Sequence, residues 1–256
     1  MPSQATAISG SHEKRIIELI RPNRSRESYF AGSATMADTL GRQPDDYDIH
    51  HPTPSSVKDA ITRDMQAVEA RGGKCVIYQE TPEEVKGRVE LDELQLKLDW
   101  VLDQDPHIFG PVPNDDWTYC LHPFDVAVHK ILQAAKCGAA KDLVDLLNIH
   151  ERLFQIAALA WAAPLRDHES EPDRLLTALA DWYLLRTPEM TEHKALLSKA
   201  KAVLRDARGI CSQRPTEETG CLYLREPVVP VVPTRDNTGY VAVRPITAMS
   251  GRLGER

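Results

Sequence analysis

"YFAGSATMADTLGRQPDDYDIHH", residues 29–51, carries the pattern from which the rest of the chain can be read. Two aromatics run into Gly32-Ser33, and after twelve intervening residues Asp46 and Asp48 flank Tyr47, with Ile49 following. In extended backbone, successive side chains point to opposite faces, so Asp46 and Asp48 share one face and Tyr47 and Ile49 the other. Two carboxylates side by side repel each other. A chain tolerates that in a solvated turn, here after Pro44 with Asp45 inside it, or uses it to hold a cation. The clean alternation of acids with Tyr47 and Ile49 favours the strand. "SYFAGS" reads as a buried strand stopping at Gly32, and "SATMADTLGR" as a helix capped by Ser33 and ended at Gly41.

Working outward, "HEKRIIELI" reads as a short helix ended by Pro22, followed by a basic turn with Arg21, Arg24 and Arg26. "SSVKDAITRDMQAVEARGG" is a capped helix ended by Gly72-Gly73. "KCVIYQE", "KGRVEL" and "LQLKLDWVL" are strands. In the last, Leu94, Leu96, Leu98 and Trp100 share a face, and Asp99 points the other way with Gln95 and Lys97. From Pro123 the apolar spacing turns helical in four segments, 123–136, 139–163, 172–185 and 192–210. The pattern predicts an α+β protein: a mixed-sheet core over residues 1–120, a helical part over 121–225, and a Pro/Val-rich tail over 226–256, extended or mobile.

A formal charge of -7 excludes nucleic-acid binding through overall charge and leaves only a local basic patch for such a partner. Five cysteines with no C-x-x-C pair argue against a disulfide framework and a zinc site. Charged residues near the start give no signal peptide, and "LFQIAALAWAAPL" is too short to span a bilayer. The expectation is a soluble, cytoplasmic protein with no membrane partner.

Enzymes that transfer nucleotidyl or phosphoryl groups hold divalent metals between carboxylates. Magnesium takes oxygen ligands and leaves positions open for phosphate oxygens. Backbone N–H groups at a helix start bind phosphate, and Gly32 before Ser33 would allow close approach.

Gly32-Ser33, the spacer and Asp46-Tyr47-Asp48-Ile49 together resemble the signature of the DNA-polymerase-β-like nucleotidyltransferase superfamily, with Asp99 where that family carries its third carboxylate. "FDVAVHKILQAAKCGAAKDLVDL" resembles the helical motif of AbiEii-type nucleotidyltransferase toxins of abortive-infection systems. The matching residues are Ala127 and Lys130, then Lys141-Asp142, then Asp145-Leu146. That family often has Arg where this chain has Lys136 or Lys141; lysine keeps the charge without the bidentate fork. The resemblance covers roughly residues 28 to 150.

The resemblance implies a polymerase β-like core that moves a nucleoside monophosphate from a nucleoside triphosphate (NTP) to an acceptor hydroxyl. It implies two magnesium ions, with manganese as a substitute, on Asp46, Asp48 and Asp99, the last also accepting the hydroxyl proton. Gly32 and Ser33 would hold the β- and γ-phosphates, Lys130 and Lys141 would neutralise charge, and Asp142 belongs to the nucleotide-binding set. The implied role is a toxin with transfer RNA as acceptor and a cognate antitoxin as partner.

Plainer readings stand beside these. Asp99 could be an edge-strand charge and Lys130 a surface lysine. Lys130 and Lys141 meet on one face of a continuous helix, or are brought together by a hairpin if Gly138 breaks it. Asp142 and Asp145 would then pair the lysines. His50 and His51 read as surface or strand-end residues, since magnesium disfavours imidazole. The basic run through Lys194, Lys199, Lys201, Arg205, Arg208 and Arg214 reads first as a solvated helix face, second as a nucleic-acid patch. Rival functions are a small-molecule nucleotidyltransferase of the aminoglycoside-modifying sort, an AMP transferase acting on protein, and a non-catalytic nucleotide-binding module.

Overall fold

The computed structural model describes residues 11–185, 194–212, 231–233 and 240–242. It is an α+β structure built on a mixed seven-stranded sheet with helices, in two compact units. The first unit takes residues up to 105 together with 111–123; the second takes 106–110 and the described residues from 124 on.

In the first unit the strands are β1 (Tyr29–Ala31), β2 (Tyr47–His51), β3 (Lys74–Glu80), β4 (Glu84–Leu91), β5 (Leu94–Leu102), β6 (Pro111–Asn114) and β7 (Thr118–Leu121). Their order is β3-β4-β5-β2-β1-β7-β6. β2 runs antiparallel to β1 and parallel to β5, and β7 parallel to β1. The alternation expected for β2 and β5 holds: Tyr47, Ile49, Leu98 and Trp100 are buried in one cluster under α1 (Ser11–Ile20) and α3 (Pro54–Glu69). α3 starts at a Thr53/Ser56 capping box.

Several expectations are corrected. Ser33 is not a capping side chain: Gly32 occupies the cap position, Ser33–Met36 is a 3-10 turn, and α2 (Ala37–Leu40) has four residues. The Ser33 hydroxyl instead accepts from Arg42 at 3.0 Å. Asp99 is not an edge charge, because β5 lies inside the sheet and the residue is buried. His50 and His51 sit at the end of β2 but are buried, and so is Arg24 of the basic turn. The β6–β7 hairpin had no counterpart in the sequence reading.

The second unit holds α4 (Pro123–Cys137), α5 (Ala140–Arg152), α6 (Ile156–Ala162), α7 (Pro172–Leu185) and α8 (Lys194–Ser212), with a short β8–β9 pair (Val231–Pro233, Tyr240–Ala242). Gly138, at φ +61°, ends α4, which settles the hairpin over the continuous helix. The long segment expected over 139–163 divides between α5 and α6. Asp125 accepts the backbone N–H groups of Ile108, Phe109 and Gly110 at 2.6, 2.9 and 3.1 Å, fixing that turn to α4. Only β8 and β9 of the tail, and none of Arg214, lie within the described residues. No helix among the described residues is long and apolar enough to cross a membrane.

Candidate active site

Cross-strand register assembles the acids. Asp48 on β2 lies directly beside Asp99 on β5, and Ala31 on β1 flanks Asp48 on the other side. Adjacent paired residues share a sheet face, so the two carboxylates stand together opposite the α1/α3 core. Asp46 immediately precedes β2, one alternation away, and is partly buried.

Gly32 makes room for this pair. A Cβ built there would fall 1.8 Å from Asp48 Oδ2, and Gly32 has φ +66°, a region that side-chain-bearing residues avoid. The β1 end therefore carries a glycine because the Asp48 carboxylate packs against its Cα. Asp48 is only partly buried as a residue, yet its carboxyl is well enclosed. Burial pushes that group up to about 6; the charge of His50 opposes this, while Asp46, Asp99 and Glu84 add to it.

Lys86, on β4, pairs in register with Asp99. Its Nζ lies 2.8 Å from Asp99 Oδ2 and 2.9 Å from Glu84 Oε1. Partial burial alone would lower the Lys86 pKa, but the bonds and charges of Asp99 and Glu84 outweigh it and hold the ammonium above its ordinary range. Asp99 Oδ1 is buried with no hydrogen-bond partner.

Tyr78 borders the cluster. The β3–β4 register shifts between Ile77, which pairs with Gly87, and Gln79, which pairs with Lys86, leaving Tyr78 as the extra residue of a β-bulge. Tyr78 and Val76 are the large apolar side chains left exposed among the described residues, at 54% and 40%. The Tyr78 phenol is raised by slight burial and then by the charge of Asp99, with Lys86 opposing.

In the second unit, Lys130 is not a surface residue. Its Nζ bonds Asp145 Oδ2 at 2.7 Å, both side chains being buried. Asp142 stands close: burial raises its pKa, Lys130 opposes and Asp145 adds. Lys141 is exposed. On α8, Lys199 pairs with Glu151, Arg205 with Asp206 and Arg208 with Asp173.

Within the first unit the structure thus brings Gly32, Asp48 and Asp99 together with Asp46 beside them, and within the helical unit it groups Lys130, Asp142 and Asp145. Sequence reasoning missed Lys86, Glu84, Arg42 and Tyr78. Lys86 and Glu84 could have been found from the "EVKGRVEL"/"LQLKLDWVL" hairpin, whose tight turn at Leu91–Leu94 fixes the register. Among the described residues, no set of three His, Cys, Asp or Glu side chains converges as a ready metal site. The donor chemistry still suits a hard cation: clustered carboxylates, one raised by burial and then by its acidic neighbours, and one with a bare buried oxygen.

Compared with protein-family models, curated proteins and solved structures, the chain matches none of them.

Proposed function

We propose that this chain is a metal-dependent nucleotidyltransferase with a polymerase β-like core, moving a nucleoside monophosphate from an NTP to an acceptor hydroxyl. The observation that carries the reading is the in-register Asp48–Asp99 pair, packed against a glycine that leaves space for the Asp48 carboxylate.

Asp46, Asp48 and Asp99 would hold the divalent cations, magnesium or manganese. When bound, these would neutralise phosphate charge and lower the pKa of the acceptor hydroxyl. The bare Oδ1 of Asp99 is suited to take the proton from that hydroxyl. On the β1 side, Gly32 and the Ser33 hydroxyl, oriented by Arg42, receive the β- and γ-phosphates, with the Arg42 guanidinium as a further anion partner. By the resemblance alone, Lys130, Lys141 and Asp142 of the helical unit belong to the nucleotide-binding set; within that unit Lys130 is held by Asp145.

By the resemblance, the role is that of a toxin restrained by a cognate antitoxin, with transfer RNA as the acceptor. The exposed Tyr78 ring, on the strand next to the one that carries Lys86, favours an acceptor with a planar base over an aminoglycoside, because a base can stack on it.

The test is incubation of purified protein with magnesium, each α-labelled NTP in turn and total RNA, beside Asp48→Asn. Label entering small RNA with the native protein alone supports the reading. Label on lysate protein or on an aminoglycoside moves the acceptor to those classes. Nucleotide binding with no transfer to any acceptor would reduce the protein to a binding module.

A further inference from the structure

Asp99 divides its two oxygens between two environments. Oδ2 takes the Lys86 ammonium at 2.8 Å, and Oδ1 is buried and bare. The register leaves Lys86 little choice, because Lys86, Asp99 and Asp48 form one row across β4, β5 and β2. The same ammonium bridges to Glu84, so it lies between two carboxylates of the cluster. An ammonium between two carboxylates does the electrostatic work of a bound cation, with one charge in place of two. On the opposite side of the row, the Asp48 carboxylate packs against Gly32 at the end of β1.

We propose that Lys86 is a built-in counter-ion of the acid cluster, standing where one of two divalent cations would otherwise bind. The nucleotide-free protein then takes a single divalent ion, on the Asp48 side. A second ion enters only by displacing the ammonium from Asp99. The proposal rests on the metal-site part of the reading above and not on the identity of the acceptor.

The test is Mn2+ titration of the full chain without nucleotide, followed by electron paramagnetic resonance of the free ion. Thermal denaturation in EDTA and in Mn2+ runs beside it, for the native protein, Lys86→Met, Lys86→Gln and Lys86→Arg. One ion per native chain is expected. Lys86→Met and Lys86→Gln should bind a second ion, or the first about tenfold more tightly, since the competing charge has gone. Both should melt below the native protein in EDTA and recover part of the difference in Mn2+, while Lys86→Arg follows the native pattern. Two ions on the native chain, or unchanged stoichiometry and affinity in both neutral variants, would overturn the proposal alone. No Mn2+ on any folded variant would overturn it together with the metal site. One ion on the native chain but no nucleotide transfer to any acceptor would leave Lys86 in this role and remove the proposed reaction.

Discussion

Strand β5 serves two buried carboxylates on opposite faces of the sheet, and they are treated differently. On the core face, Trp100 donates its indole N–H to Asp64 Oδ2 at 2.9 Å, while Asn23 donates to Oδ1 at 2.8 Å and Arg24 pairs with the same oxygen. On the other face, the preceding residue, Asp99, has one oxygen bound to Lys86 and one without a partner. The two residues are equally hidden, at 1% and 3% exposure. Burial therefore does not distinguish the two acids; completeness of bonding does. A buried oxygen without a partner costs free energy, so a fold keeps one where something else completes it.

The largest effect should come from the incomplete side. Asp48→Asn removes one of the facing charges and should cut nucleotide transfer by roughly 10²–10³-fold, on the scale of losing one electrostatic contributor to a transition state. The same change should leave the thermal midpoint equal or higher, because two neighbouring carboxylates no longer repel. A fall in both would make Asp48 a structural acid like Asp64.

Asp64→Ala is the converse. It strands the buried Arg24 guanidinium and should cost about 3–5 kcal/mol in chemical denaturation, with activity per folded molecule retained. The same region should also respond to acid. Burial, and then the nearby Arg24 charge, push His51 down to about 3. Its unfolded form takes up a proton below about 6.5 while the folded form does not, so stability should fall as pH drops from there towards 3, by up to about 1.4 kcal/mol per pH unit. His51→Gln should flatten that slope in thermal melts run across the pH range.

Gly32→Ala tests the space between β1 and Asp48. The strained φ costs about 1–2 kcal/mol, and the methyl must push the Asp48 carboxylate aside, so transfer should fall further than stability does. The smallest effect on stability belongs to Tyr78→Ala, within about 0.5 kcal/mol for an exposed side chain. Its KM for the acceptor should rise while that for the nucleotide holds.

Much of this was legible in the sequence because it is local. The alternation in "DYDIHH" and "LQLKLDWVL" gave β2, β5 and the face of each acid, and the Gly-Pro-bounded segments gave α3 and β3. What escaped depends on distant partners or on weak local signals. Arg24 and His51 look like surface residues until Asp64, about forty positions from Arg24, is folded against the β2 end. The β6–β7 hairpin has prolines at 111 and 113, which argue against a strand except at a sheet edge, where β6 lies. Ser33 was misread because a capping residue and the first residue of a 3-10 turn look alike in sequence; the positive φ of Gly32 makes the glycine the cap. Lys86 needed the β4–β5 register, and the Asp48–Asp99 pairing needed β2 to lie beside β5.

The bulge at Tyr78 also bears on solubility. β3 is an edge strand of seven residues with Val76 and Tyr78 facing outward, the kind of edge that recruits a second copy of itself. The extra residue breaks the regular spacing of the strand, and the Lys74–Glu90 ion pair places charge at its start. The irregularity that leaves an aromatic ring exposed thus also keeps that ring from becoming the seed of an aggregate.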